Sequence, residues 1–323
     1  MSAAVAPQEW QSRGGRGVHR QTKESTGMTV AWIGLGNMGG PMAANLVAAG
    51  HEVRGFDLSE HATELARAAG VTIVGSAVQA VAGADVVFTM LPAGSHVRAL
   101  LTDEALLAAL PANTLVIDSS TIEIDTAREL HQLIPAAGHR FLDAPVSGGT
   151  FGAASGTLTF MVGGSAADLE EAKPYTDVMA GRVFHTGGPG NGQAAKIANN
   201  MMLGINLAAT CEAAILAERL GLDAKTFYNL AMVSSGDSWA LRTWYPVPGV
   251  VETAAVNRDF EGGFATNLML KDLGLALQAG ESTGTNLDFA AAVVERLTAL
   301  AARGYGAKDC TSLVRLLDGS LDG

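Results

Sequence analysis

One short stretch constrains this chain more than any other. Ile33-Gly34-Leu35-Gly36-Asn37-Met38-Gly39 has the spacing G-x-G-x-x-G, directly follows a strand-like run at residues 30–33 and opens a helical pattern over residues 38–49. Each glycine serves a distinct physical purpose. Gly34 makes a tight turn, Gly36 lets the backbone approach a pyrophosphate, and Gly39 permits close helix–strand packing. The start of the helix supplies free N–H groups and a partial positive charge. A functionless glycine-rich turn would satisfy the spacing alone. The strand before, the helix after and Asp57 at the end of the next strand argue instead for a dinucleotide site. A carboxylate at Asp57 accepts hydrogen bonds from both adenosine ribose hydroxyls and repels a 2′-phosphate, and no Arg follows directly. The reading is therefore NAD rather than NADP. Gly34, Leu35, Gly36, Asn37, Met38, Gly39 and Asp57 are the candidate cofactor residues. A methyltransferase with a similar glycine loop competes until the later motifs are considered.

The pattern around this loop predicts the fold. Short apolar runs at residues 30–33, 53–56, 86–89, 115–117 and 140–142 alternate with Ala/Leu-rich helical stretches, which reads as βαβ units on a mostly parallel, buried sheet. One more strand at 158–162 and a helix at 166–179 follow. Beyond Gly187-Gly188-Pro189-Gly190 few convincing strands remain. A long helix over 192–220, stopped by Gly221, would span about 43 Å at 1.5 Å per residue. It is apolar on nearly every face, which predicts a buried helix. Further helices are expected at 224–232, 266–282 and 288–302, with an irregular loop over 234–263. The organisation is thus a disordered extension over 1–27, an α/β Rossmann-type dinucleotide-binding domain with a mostly parallel sheet over 28–188, and an all-helical C-terminal domain over 189–323, joined by the long helix.

Composition excludes other classes. With 48% hydrophobic and 16% charged residues, the chain is not of the disordered type. A net charge of −11 argues against nucleic acid as a partner. Cys211 and Cys310 cannot build a disulfide framework, and they fit a reducing, cytoplasmic compartment. No His/Cys/carboxylate cluster has metal-ligand spacing. No uninterrupted apolar run reaches the roughly 18 residues of a membrane span. Residues 1–27 lack the apolar centre of a secretory signal, Glu9 and Glu24 are unlike a mitochondrial presequence, and Met28 stands just before the first strand.

Ligands of open parallel sheets sit beyond the carboxyl ends of the strands. Met90-Leu91-Pro92 and Asp118-Ser119-Ser120-Thr121 close two strands and so would border the nicotinamide half. Asp143-Ala144-Pro145-Val146-Ser147-Gly148-Gly149 closes another, and a Ser before two glycines clusters backbone N–H groups that suit a carboxylate. A plain flexible loop fits the same letters. On the long helix Lys196 and Asn200 stand at i and i+4 and project from one face. Desolvation would lower the Lys196 pKa toward working pH, as a proton-shuttling amine needs. A lysine that snorkels to solvent fits equally well, and spacing does not separate the two. Lys271 lies on another apolar helix and could reach the same cleft, or could simply pair with Asp272.

Taken in order, these motifs resemble the β-hydroxyacid dehydrogenase family. The resemblance rests on the glycine loop with Pro41-Met42-Ala43 and Asn45-Leu46, on Met90-Leu91-Pro92, on Asp118 to Thr121, on Asp143 to Gly149 with Gly156-Thr157-Leu158-Thr159-Phe160-Met161-Val162-Gly163-Gly164, and on Gly192-Gln193-Ala194-Ala195-Lys196 with Asn199-Asn200. The stretches Ser234-Ser235-Gly236, Tyr245-Pro246-Val247-Pro248-Gly249-Val250, Phe260-Glu261-Gly262-Gly263-Phe264 and Lys271-Asp272-Leu273 look like the branch that acts on 3-hydroxyisobutyrate. Tartronate semialdehyde reductases share the core motifs without that proline loop. Imine reductases resemble the scaffold but usually lack the lysine and prefer NADPH, against Lys196 and Asp57 here. A catalytically silent module would typically have lost the lysine.

The resemblance implies NAD-dependent oxidation of (S)-3-hydroxyisobutyrate to methylmalonate semialdehyde, a step of valine breakdown. It implies Lys196 as the catalytic acid–base, Asn200 holding Lys196 and substrate, and Ser147, Gly148 and Gly149 on the substrate carboxylate. Leu91, Pro92, His96 and Thr121 would border the cofactor, with Lys271 over the nicotinamide and substrate. The chain departs from the common pattern at His96, where the family often has Asn. A homodimer or homotetramer built on the long helix is also implied.

Overall fold

The computed structural model describes residues 27–321. The expectation for the N-terminal extension falls, Gly27 aside, outside the described residues. Nine strands form one sheet: β1 (Thr29–Ile33), β2 (Glu52–Phe56), β3 (Thr72–Ile73), β4 (Val86–Thr89), β5 (Leu115–Asp118), β6 (Arg140–Asp143), β7 (Val146–Ser147), β8 (Leu158–Gly163) and β9 (Ala180–Gly187). Their order is β3-β2-β1-β4-β5-β6-β8-β7, with β9 paired to β8. The first six strands are parallel, and β8 turns antiparallel to β6 and β7. That is the doubly wound arrangement, in which the chain order reverses between β1 and β4.

Helices cover both faces, so successive residues of a strand enter opposite cores. Val30, Trp32, Phe88 and Ile117 pack on one side, and Ala31, Ile33, Val87 and Val116 on the other. Trp32 and Phe88 are fully buried and stack at 5.0 Å between centroids. Truncating either to Ala would cost about 3–5 kcal/mol. The register sets the carboxyl edge that matters below: Thr89 pairs with Asp118, and Asp118 with Asp143. Three polar residues therefore stand side by side along one rim.

The helix Asn191–Arg219 follows, 29 residues long, and packs on β8 and on the helices Thr266–Thr283 and Asp288–Leu300. Leu207, Cys211, Met269, Leu273 and Leu297 form the centre of that second core. Gly204 lets the backbone come close, since an added Cβ would lie 3.0 Å from the Leu273 side chain. By length and mean hydropathy this helix could cross a membrane, but it is the central helix of the C-terminal core.

Several features differ from the sequence expectation. The long helix does not bury every face. Its buried stripe runs through Gly192, Lys196, Asn200, Gly204, Leu207, Cys211 and Ala214, while Met202 and Leu216 are exposed. Neighbouring helices of the same chain reach only one side. The strands β3, β7 and β9 were not expected. The first two have two residues each, and β9 carries Arg182 and His185 on a largely open edge, which hides its apolar alternation. The loop over 234–263 contains a helix at Trp239–Trp244 and a 3₁₀ turn at Ala255–Arg258.

Candidate active site

The glycine loop connects β1 to the helix Gly39–Ala48. Gly34 has φ +96°, a conformation that side chains resist, and its Cβ would strike the Met90 carbonyl. At Gly39 an added Cβ would run into the Gly34 carbonyl, so only glycine lets the helix sit on β1. Gly36 is exposed, and a Cβ there would meet nothing within 4 Å. The loop thus presents bare backbone to open space, the form a pyrophosphate requires. No side chain caps the helix start, which leaves its polarity for a ligand.

Asp57 is half-buried just past β2. Its Oδ2 accepts the Leu35 N–H at 2.6 Å and its Oδ1 the Ser59 N–H at 2.7 Å. A carboxylate has about four acceptor sites, so two remain for ribose hydroxyls. The next helix opens with Glu60, which adds no cation for a 2′-phosphate. These residues fit NAD.

Beside the loop, the rim of the sheet holds a buried polar network. Asp118 Oδ1 accepts from Thr89 Oγ1 at 2.7 Å and from Ser120 Oγ at 2.6 Å, and Ser120 Oγ accepts the Leu91 N–H at 2.8 Å. Burial pushes the Asp118 carboxyl up to about 6, against the pull of the Ser120 and Thr89 hydroxyls. The network therefore fixes the two loops, Leu91-Pro92 and Ser120-Thr121, relative to each other. Gln193 of the long helix locks onto the same segment: Nε2 donates to the Ser120 carbonyl at 2.8 Å, and Oε1 accepts the Ile122 N–H at 3.1 Å.

Lys196 lies on the same helix, close to one turn further along. It is 7% exposed and does not snorkel to solvent. Its amine has no hydrogen-bond partner among the described residues. Burial lowers its pKa from 10.5 to about 8, against the opposing pull of Asp272 and with a further push from Lys271. Asn200 does not bond Lys196 directly. Its Nδ2 donates to Asp272 Oδ2 at 2.5 Å and its Oδ1 accepts from Asn199 at 3.1 Å. Lys271 crosses from the helix Thr266–Thr283 to the sheet, where Nζ donates to the Thr121 carbonyl at 2.9 Å and to that of Pro92 at 3.4 Å, and it lies 3.6 Å from Asp272. One group thus gathers Lys196, Asn200, Lys271, Asp272, Thr121 and Pro92.

The remaining candidates stand apart from that group. Ser147 ends β7 half-buried, and the exposed Gly148 and Gly149 follow with φ of +135° and +63°, opening the helix Gly149–Ser155. Because β7 pairs with β8 and Gly192, at the start of the long helix, lies against β8, this turn and the helix start adjoin the same strand. His96 is exposed on the helix Gly94–Leu101. Arg98, on the same helix, pairs with Glu129 at 2.7 Å. Sequence reasoning placed Asp118 and Ser120 only within a segment bordering the nicotinamide half, offered Asp272 only as a partner for Lys271, and gave Gln193 no role of its own. The sole signal for Gln193 was its place inside a quoted motif.

Comparison with known proteins agrees with this architecture. Residues 29–187 match the family described as the NAD binding domain of 6-phosphogluconate dehydrogenase. Residues 190–317 match the one described as NAD-binding of NADP-dependent 3-hydroxyisobutyrate dehydrogenase. A probable 3-hydroxyisobutyrate dehydrogenase of Mycobacterium tuberculosis is 54% identical over 79% of this chain and 86% of its own length. An NAD-dependent L-serine dehydrogenase of Pseudomonas aeruginosa is 45% identical over 90% of this chain and 97% of its own. The solved structure of Mycobacterium tuberculosis 3-hydroxyisobutyrate dehydrogenase with L-serine superposes with a TM-score of 0.85 at 48% identity, over 90% of this chain and 99% of that one.

Proposed function

Because the chain belongs to the β-hydroxyacid dehydrogenase family that includes the 3-hydroxyisobutyrate dehydrogenases, we propose that it oxidises (S)-3-hydroxyisobutyrate to methylmalonate semialdehyde in valine breakdown, with Lys196 as the acid–base. It is an oxidoreductase of hydroxy acids with an NAD-binding domain. The observation that carries the proposal is the Lys196 amine: buried, without a hydrogen-bond partner among the described residues, and held near 8.

A primary alcohol gives up its proton poorly in water, so a positioned base is needed. When bound, NAD supplies the hydride acceptor. Lys196, as the neutral amine, takes the hydroxyl proton on Nζ while the C–H hydride leaves, and the product is an aldehyde. In the reverse direction the ammonium returns that proton. Asp272 keeps a negative charge beside the ammonium as it forms. Asn200, fixed by Asp272, orients the substrate hydroxyl. The backbone N–H groups around Ser147, Gly148 and Gly149 receive the substrate carboxylate. Asp57 takes the ribose hydroxyls, residues 34–39 the pyrophosphate, and Leu91, Pro92, His96 and Thr121 border the nicotinamide. Lys271, tied to Thr121 and Pro92, lies at that border over the nicotinamide and substrate.

A second reading is L-serine, which carries an ammonium where 3-hydroxyisobutyrate carries a methyl group. It is favoured by the relative named for that substrate and by the neighbour solved with it. Both share the 3-hydroxy carboxylate that Lys196 and the Ser147 turn would grip. Initial rates of NADH formation at 340 nm separate them, using (S)- and (R)-3-hydroxyisobutyrate, L-serine, D-glycerate and 3-hydroxypropionate with NAD and with NADP. The highest kcat/KM is expected for (S)-3-hydroxyisobutyrate with NAD. A higher value for L-serine or D-glycerate would overturn the substrate, and one confined to NADP the cofactor preference.

A further inference from the structure

We infer that Asp143 is a positioning residue for the reaction: its carboxylate clamps the start of the long helix to the carboxyl rim of the sheet and so sets where Lys196 stands. The inference rests on the reading of Lys196 as the acid–base.

Asp143 is the last residue of β6 and is fully buried. Three donors converge on it. The Gly190 and Gln193 N–H groups reach Oδ1 and Oδ2 at 3.0 Å each, and His131 Nε2 reaches Oδ1 at 2.6 Å. A carboxylate only accepts, so His131 carries its hydrogen on Nε2. The helix has no cap of its own, because its N-cap residue is Gly190. An anion from the sheet therefore replaces the usual local cap. The joint is built for close approach: a Cβ on Gly163 or Gly192 would fall within 3 Å of the carboxylate oxygens. In the same turn Gln193 bonds the Ser120 carbonyl and the Ile122 N–H. Asp143 and Gln193 together fix both the height and the rotation of the turn from which Lys196 projects. Thr89, Asp118 and Asp143 are in register on the rim, so the loops expected around the cofactor and the helix with the amine share one frame.

The charged groups acting on Lys196 are Asp272 and Lys271, both on the helix Thr266–Thr283, and Asp143 is not among them. Replacing Asp143 by Asn therefore leaves that local field in place. It puts an amide N–H against a donor, loosens the helix start and lets water reach the amine. A displacement of about 1 Å at a catalytic group costs about 10²-fold in rate.

The test compares D143N, H131A and K196A with wild type in the full chain. The readouts are kcat, KM, the NADH Kd by fluorescence, thermal stability and the pH dependence of kcat. D143N is expected to lose at least about tenfold in kcat with the NADH Kd within about twofold. Its pH midpoint should move upward as the amine regains hydration. H131A keeps both helix N–H bonds and should move the same quantities less, and it decides the matter if D143N does not fold. A loss of kcat that only follows the folded fraction, with an unmoved midpoint, would show a purely structural role and overturn the proposal. Unchanged kcat and midpoint in D143N, or in H131A should D143N not fold, would overturn it equally. An inactive K196A beside such a result leaves the reading of Lys196 standing. Turnover retained by K196A would remove that reading and this proposal with it.

Discussion

Replacing Lys196 by Met should make the protein more stable and nearly inactive. In the unfolded chain the amine titrates near 10.5, and in the folded chain burial brings it to about 8. Each pH unit between the two is 1.36 kcal/mol, so folding at pH 7 works against the lysine by about 3 kcal/mol. The attraction of Asp272 is already contained in that difference. The sign follows from proton binding: between about 8 and 10.5 the unfolded state holds more protons, so stability rises with pH there. The deficit is complete below about 8 and gone above 10.5. Met has a similar unbranched shape and no charge. K196M should therefore exceed wild type by about 3 kcal/mol at pH 7, or roughly 5 °C in Tm for a chain of this size. The gap should close as pH climbs to 10. Turnover should fall by about 10²–10⁴-fold, the usual worth of a general base. Urea unfolding at pH 7, 8, 9 and 10, with initial rates on the same preparations, measures both. A K196M protein no more stable than wild type at pH 7, or a gap that does not shrink with pH, would refute the reasoning.

Other perturbations address separate parts of the site. D57A should weaken NAD far more than NADP in fluorescence titrations, and an equal loss for both would remove the ribose role. Q193L strands the buried Ser120 carbonyl and Ile122 N–H, and at about 1–3 kcal/mol per orphaned group it should cost about 3 kcal/mol by urea unfolding. Asp118 titrates at about 6 in the fold against 3.8 in the free chain. The native state thus binds the extra proton between those values, and stability should rise by about 2 kcal/mol as pH falls from 6 to 4. D118N should lose that slope, and an unchanged slope would place its origin elsewhere.

The fold was legible because its signals are local. The run at β1, the glycine spacing and the acid after β2 lie within one βαβ unit, and the strands β4, β5, β6 and β8 announce themselves by short buried apolar runs. What stayed hidden depends on distance along the chain. Asp143 and Gln193 meet across 50 residues, Gln193 and Ser120 across 73, and Lys271 and Thr121 across 150. No periodicity encodes such pairs. Lys196 was legible as a lysine on an apolar helix, but whether it reaches solvent depends on where the helix Thr266–Thr283 lies. Asn200 was placed on the correct face, yet its partner is Asp272, which the sequence offered only as a neighbour of Lys271. The exposed side of the long helix was misread for a related reason, since hydropathy records what a face could bury and not what lies opposite. The strand β9 was missed because an open edge carries little apolar alternation.

The pH dependence of kcat for (S)-3-hydroxyisobutyrate oxidation tests the central claim most directly. Lys196 as the base requires the neutral amine, so kcat should rise with unit slope at low pH and level off above a midpoint near 8. A profile flat from pH 6 to 10, or a limb centred near 6.5 that persists in K196A, would contradict Lys196 as the group that takes the proton.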